Sequence, residues 1–147
     1  DAIYDQAAVQ LTPQPLPPGP KMRSSAYYQQ HHRMIQEQLA GRGGDGLIAG
    51  QKKDVVLTNR LRGRGDRIAI YGWHRGSDAP IQPLSTVHGA RYADYSHGVR
   101  LVWATAWVDG APRLVLEILA DPTWSLALTY EGEIRKPGEL MKWPPGP

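Results

Sequence analysis

The chain has 147 residues, 41% hydrophobic and 21% charged, with 13 prolines, 16 glycines and no cysteine. That length suits a single domain, 1–147, whose own core removes any need for a disulfide or metal scaffold, while the missing cysteine excludes a thiol nucleophile, a disulfide framework and zinc sites built on sulfur. The net charge of +3 and pI near 9.3 are a mild basic bias, the many turn formers favour β structure over a helix bundle, and no apolar run approaches the roughly 20 residues of a membrane-crossing helix.

The sequence opens on Asp1, with no methionine and no basic then apolar leader, and ends on WPPGP; it reads as a processed or trimmed chain. DAIYDQAAVQ groups Ile3, Tyr4, Ala7 and Ala8 near one face and predicts a short helix. LTPQPLPPGP stops it, since Pro13, Pro15, Pro17, Pro18 and Pro20 favour an extended, polyproline-like segment; residues 11–22 are therefore read as a surface strap. A second helix is expected from Ser24 or Ser25, with Tyr27 or Tyr28, His31, Met34, Ile35, Gln38 and Leu39 at helical spacing and Gly41 as its end. His31 and His32 are neighbours and so point about 100 degrees apart on a helix, which suits packing better than shared ligation of one ion.

From residue 41 to 143 the pattern becomes mainly β. GRGGDG is a glycine-rich loop without the Lys-Ser or Lys-Thr that a phosphate cradle needs. LIAG and DVVLT are short apolar runs, RIAIYGW a strand and HRGSDAP a turn. Lys52, Lys53, Arg60, Arg62, Arg64 and Arg67 gather positive charge against Asp54 and Asp66 only. Such a cluster reads first as a solvated face, and it lacks the interleaved aromatics of a nucleic-acid binder. VRLVWATAWVDG is expected to be the longest strand, with Val99, Leu101, Trp103, Thr105 and Trp107 on one side and an apolar opposite face, so that it runs through the middle of the fold with Trp103 and Trp107 as core residues. VDG is a turn, PRLVLEILAD suits a short helix opened by Pro112, and WSLALTYEGEI is expected to add a last strand. The result is an α+β domain, N-terminal helices packed on a curved or barrel-like, mostly antiparallel sheet.

Chemistry-bearing residues concentrate in VHG and YADYSHGVRL. If the second stretch is extended, Tyr92, Asp94 and Ser96 face one way and Tyr95 and His97 the other, with Gly98 allowing a bulge. Serine hydrolysis needs a base beside the hydroxyl and a group that orients that base; here His88 or His97 is the candidate base, Asp94 the orienter and Ser96 the nucleophile. Arg100 can hold a carboxylate or phosphate through its planar fork. Tyr92 and Tyr95 flank the cleft, and Trp73 and His74 line it if the strands neighbour each other, Trp73 then serving as a stacking platform for a sugar or peptide. His88, Asp94 and His97 also supply the ligand types of a zinc site with an open water position, although HxxxxxDxxH is not a specific signature. The structural alternative is that the tyrosines are half-buried strand residues, Asp94 caps a turn, Ser96 is inert and the histidines bond main-chain groups.

SHGVRL resembles part of the signature of the L,D-transpeptidases, in which a His-Gly pair precedes Ser-His-Gly-Cys, an apolar residue and Arg. Ser96, His97 and Gly98 match its Ser-His-Gly, Arg100 answers its carboxylate-holding arginine, and His88-Gly89 looks like its upstream pair. Val99 stands where that family has its nucleophilic cysteine, and the spacers are shorter here. The resemblance implies a β-rich fold and a peptidoglycan-facing site, without the family's acyl transfer. The wider run IAIYGWH, IQPLSTVHG and YADYSHGVRLV resembles a group of uncharacterised bacterial proteins, often predicted to be secreted, which implies a bacterial, exported origin.

The leading functional expectation is a secreted or periplasmic hydrolase or related enzyme acting on a cell-wall or other extracellular polymer. Its catalytic residues would be His97, His88, Asp94 and Ser96, its substrate contacts Arg100, Tyr92, Tyr95, Trp73 and His74, and it would need no cofactor unless zinc binds at His88, Asp94 and His97. The alternative is a non-catalytic module binding a glycan or peptide. A third reading is a metal-independent ribonuclease using His88 and His97 as acid and base with Lys53 nearby; nucleic acid is otherwise not the expected partner.

Overall fold

A computed structural model describes residues 1–42, 46–98 and 100–141. Part of the glycine-rich loop, Gly43 to Asp45, the position of Val99 and the tail from Lys142 to Pro147 with its WPPGP lie outside the described residues. Helix takes 29% and strand 23% of the described residues, so neither dominates and the architecture is α+β, without a closed barrel. Contacts divide the chain into two compact units: Asp1–Val55 with Ile70–Ser85 and Arg91–Val99, and Val56–Ala69 with Thr86–Ala90 and Arg100–Pro147.

In the first unit, the N-terminal helix is a single turn, α1 (Ala2–Asp5), rather than the longer helix expected. Val9–Gln10 is instead a strand, β1, paired in parallel with β2 (Ile48–Ala49), Val9 opposite Ile48 and Gln10 opposite Ala49. The pairing carries on into the strap, where the Leu11 amide donates to the Ala49 carbonyl at 2.9 Å. Gly50 is required here: with φ of 102° a Cβ would stand 2.2 Å from the Leu11 carbonyl oxygen. The strap then lies over its unit by turning Leu11, Pro13 and Leu16 inward. Gln38 stands in for a neighbouring strand, its side-chain amide accepting from the Thr12 N–H (2.8 Å) and donating to the Thr12 carbonyl (3.0 Å).

A 3-10 turn, Pro20–Arg23, leads to α2 (Ser25–Leu39), where the Ser24 hydroxyl accepts from the Tyr27 amide as an N-cap. Gly41 follows in the left-handed region, φ 76°, as the expected stop. His31 is buried and His32 exposed, in keeping with their different helix faces. The core is Leu16, Trp73 and Tyr95, with Met22, Tyr27, Met34 and Ile81 packed against it.

A three-stranded sheet has the order β3 (Lys53–Val56), β4 (Ala69–His74), β5 (Pro80–Ser85). Strand β5 has no clean sequence signal, because Pro80 and Pro83 read against a strand; both are tolerated because β5 is at the edge. The register of β4 on β5 shifts between Ile70 and Gly72, and Trp73 there takes φ of 64°. This irregularity breaks the alternation of β4, so that Gly72, Trp73 and His74 are all buried. HRGSDAP forms the expected turn, closed by Arg75 N–H to the Ala79 carbonyl at 3.0 Å.

The second unit departs furthest from the periodicity. The long central strand is not formed: Leu101, Val102 and Trp103 are irregular and 93%, 71% and 83% exposed. Only β6 (Thr105–Val108) pairs, antiparallel with β7 (Ala111–Leu114), from Thr105 opposite Leu114 to Val108 opposite Ala111. Asp109 (φ 49°) and Gly110 (φ 77°) make a two-residue hairpin turn, whose twist matches paired strands. The turn dictates the pairing, so Pro112 to Leu114 join a strand, not the helix that their pattern suggests. A two-stranded sheet leaves much of its surface uncovered, and Trp107 remains 75% exposed; neither it nor Trp103 is a core residue. The helix begins only at Val115, as α3 (Val115–Ala120).

No strand follows in WSLALTYEGEI. Asp121 Oδ1 accepts from the amides of Thr123 (2.7 Å) and Trp124 (2.9 Å), opening a 3-10 turn over Trp124–Ala127. Ile118 and Leu119 of α3 and Ile134 are buried, and the Ile134 N–H donates to the Leu119 carbonyl at 2.8 Å. A last turn of helix, α4 (Pro137–Leu140), packs on α3. The loop Thr58 to Arg62 is tied to residues 131–135: the Glu131 carboxylate accepts from the Thr58 hydroxyl and the Asn59 amide, and Asn59 Nδ2 donates to the Glu133 carbonyl at 2.8 Å.

Candidate functional site

The stretch from Tyr92 to Gly98 is a turn laid along β3, not the extended strand whose alternation would split its side chains. The Lys53 amide donates to the Ser96 carbonyl (2.9 Å) and the Gly98 amide to the Lys53 carbonyl (2.8 Å). At Gly98 a Cβ would stand 2.9 Å from Lys52 Cβ, so this glycine answers a close approach of two chain segments.

Asp94 organises the turn. Its Oδ1 accepts from the Ser96 amide (2.8 Å) and the Ser96 hydroxyl (2.5 Å), and its Oδ2 from the Tyr92 hydroxyl (2.9 Å). The Asp94 amide donates to His97 Nδ1 at 2.9 Å, and the His97 amide to the Asp94 carbonyl at 3.1 Å. Burial by itself would raise the Asp94 carboxyl, but the hydrogen bonds from Ser96 and Tyr92, with His97 beside them, hold it below its ordinary value. It is a buried, ionised acceptor, 1% exposed. The phenol of Tyr92 is raised in turn, by burial and by donating to Asp94.

These contacts define what the cluster can do chemically. Ser96 is 0% exposed and its single hydroxyl hydrogen is on Asp94, so hydroxyl and imidazole are not paired as nucleophile and base. The lone pair of His97 Nδ1 is engaged by a main-chain N–H, which places the imidazole proton on Nε2. Asp94 therefore serves as an Asx-type acceptor that closes a turn on itself.

The other expected residues of this unit are also turned inward. Tyr95, 1% exposed, accepts from the Leu16 amide (2.7 Å) and donates to the Leu16 carbonyl (3.1 Å). Trp73, 5% exposed, donates its Nε1–H to the Gln51 carbonyl at 2.8 Å, which removes it as a stacking platform for an external ligand. His74 Nε2 lies 2.8 Å from Asp1 Oδ1, and its ring stacks on Tyr4 with centroids 5.3 Å apart. Lys53 belongs to this interior as well. Its place in a basic run predicts a solvated face, yet it is 8% exposed with Nζ 4.9 Å from the centroid of the Trp73 ring. Lys52 Nζ donates to the Tyr95 carbonyl. Burial lowers the pKa of both lysines, with Asp94 opposing. No local pattern marks Lys53 as interior; the indole beneath it comes from another strand.

His88 and Arg100, both half-buried, belong to the second unit. The His88 carbonyl accepts from the Ile68 amide at 3.1 Å. Among the described residues, no group of three or more His, Asp or Glu side chains is gathered to hold a metal ion. What that unit does offer is a groove of about 310 Å³, lined by Ala106, Trp107, Val108, Ile118, Trp124 and Leu128 with Asp109 at the hairpin turn. Arg113 places its guanidinium 5.7 Å from the centroid of the Trp124 ring. In the sequence, Trp107 is the one hint of this groove, and its strand spacing reads as core. No protein-family model, curated protein or solved structure matches the chain.

Proposed function

We propose that this chain is a non-catalytic binding module that takes an extended peptide in the groove between Trp107 and Trp124. The observation that carries this reading is the 75% exposed Trp107 indole beside an apolar groove, a large aromatic surface that folding leaves in water. Aromatic-lined grooves suit extended or proline-rich segments, whose apolar side chains need surface contact more than polar partners. A glycan would bring hydroxyls to a lining that is mostly apolar, Asp109 apart, leaving most of them without partners. The same carboxylate favours a peptide with a basic residue flanking its apolar part. The inward-facing Ser96 supports binding over hydrolysis. An exported protein of this kind would meet such peptides in the cell envelope or outside it.

The test uses indole fluorescence with two probes, an acetylated Pro-Leu-Pro-Leu-Lys-Lys amide and a hexamer of N-acetylglucosamine, together with release of soluble fragments from peptidoglycan. Saturable quenching by the peptide, weakened about tenfold or more by Trp107→Ala and unchanged by Ser96→Ala, is the expected result. Binding of the sugar hexamer alone, or fragment release that disappears in Ser96→Ala, would replace this reading with the glycan module or the hydrolase.

A further inference from the structure

The geometry points to a second binding site, independent of the groove: a pocket at Arg64 and Arg67 that takes the carboxylate of a small ligand with an aliphatic body. Its cavity, about 420 Å³, is lined by Arg64, Asp66, Arg67, Thr86 and Val87. Two segments form it and are stapled together by main-chain bonds: Ile68 N–H to the His88 carbonyl (3.1 Å) and Ala90 N–H to the Asp66 carbonyl (2.7 Å). The arginine loop is itself folded by Arg64 N–H to the Leu61 carbonyl (2.9 Å) and Arg67 N–H to the Arg64 carbonyl (3.0 Å).

Both guanidinium groups are anchored on adjacent residues. Arg64 Nη1 donates to the Thr86 hydroxyl (3.0 Å) and Arg67 Nη1 to the Val87 carbonyl (2.6 Å). Neutral acceptors of this kind hold a guanidinium in place without cancelling its charge, and each guanidinium has five N–H donors, so both keep donors for a ligand. The conformational freedom that a surface arginine usually loses on binding is thus already restricted.

Charge and shape specify the ligand. Asp66, 3.3 Å from Arg67 Nε, is the one carboxylate in the lining, and its side chain is 77% exposed. Two arginines and one aspartate leave a single net positive charge, which matches a monoanion better than a phosphate dianion. Val87, 69% exposed, gives the cavity an apolar wall for carbon atoms next to that anion. The cavity is also too large for a bare ion and has room for a body of several atoms.

The test is a titration of the full chain followed by NMR of the arginine Nε–Hε signals, with N-acetylvaline as probe, N-acetylvalinamide as its uncharged control and inorganic phosphate as a competing anion. Saturable shifts of Arg64 and Arg67 with N-acetylvaline alone, weakened about tenfold by Arg64→Met and unaffected by Arg60→Met, are expected. Thr86→Val, which keeps the charge and removes one anchor, should weaken binding by a smaller factor. Amide spectra of each variant check that it remains folded. Equal shifts with the amide control, tighter binding of phosphate, or the same loss in Arg60→Met and Arg64→Met would each overturn the assignment. So would the absence of any saturable shift.

Discussion

His31 should make this protein lose stability on mild acidification. Its imidazole is 1% exposed, edge-on to Tyr95 (5.1 Å between centroids) and Trp73 (6.4 Å), and Nδ1 has no hydrogen-bond partner among the described residues. Burial, and next the charge of Lys52, lower its pKa from 6.5 to about 4. Above pH 6.5 the ring is neutral in folded and unfolded chains alike. Between 6.5 and about 4 the unfolded chain binds a proton that the folded chain does not, so stability falls as the pH falls. At 1.36 kcal/mol per pH unit that window amounts to about 3 kcal/mol, and below pH 4 the loss levels off because both states are protonated. Urea unfolding followed by circular dichroism from pH 7.5 to 4, on the natural chain and on His31→Phe, isolates this contribution. The Asp94 carboxyl lies below its ordinary value of 3.8 and outside the window, and His74, also lowered by burial, is present in both proteins and cancels. The natural chain should lose about 3 kcal/mol more than the variant between pH 6.5 and 4. Equal slopes, or an NMR titration of His31 centred near 6.5, would refute the reasoning.

Tyr95→Phe removes the hydroxyl that both accepts from and donates to Leu16, leaving two buried main-chain groups unpaired; it should cost about 2 kcal/mol and speed hydrogen exchange at the Leu16 amide. Gly50→Ala places a Cβ 2.2 Å from the Leu11 carbonyl oxygen at a φ of 102°. A loss of roughly 2 kcal/mol or more is expected, read as a lowered unfolding midpoint. Asp94→Asn keeps the shape but replaces the ionised acceptor that holds the Ser96 and Tyr92 hydroxyls, which should cost about 2 kcal/mol and abolish the acid sensitivity due to that carboxylate. Trp103→Ala, at a site 83% exposed, should leave stability within about 0.5 kcal/mol; a larger loss would restore Trp103 to a core.

Local chemistry made several elements legible in advance. Ser24 and Gly41 bracket α2 because a hydroxyl cap and a left-handed glycine act within one turn of helix. The strap follows from prolines whose φ is set by their own ring, and the turns at 74 to 80 and 108 to 110 follow from their Gly and Asp residues. The cluster of Tyr92, Asp94, Ser96 and His97 was also visible as a concentration of polar groups, and the structural alternative of Asp94 as a turn residue is the geometry observed.

The remainder depended on partners distant in the chain. Alternation in the run from Leu101 to Val108 says which residues share a side, but burial requires a second layer, and the hairpin at Asp109 and Gly110 pairs only four residues of that run. Lys53 looked like surface charge until Trp73 lay beneath its ammonium. Ser96 looked like a nucleophile until a carboxylate two residues away took its hydrogen inside a turn closed against β3. Capping, turn formation and backbone restriction are decided by neighbours within a few residues, so the sequence alone determined them. Burial, pKa and the partner of each polar atom depend on which distant segments meet, and only the tertiary structure could decide those.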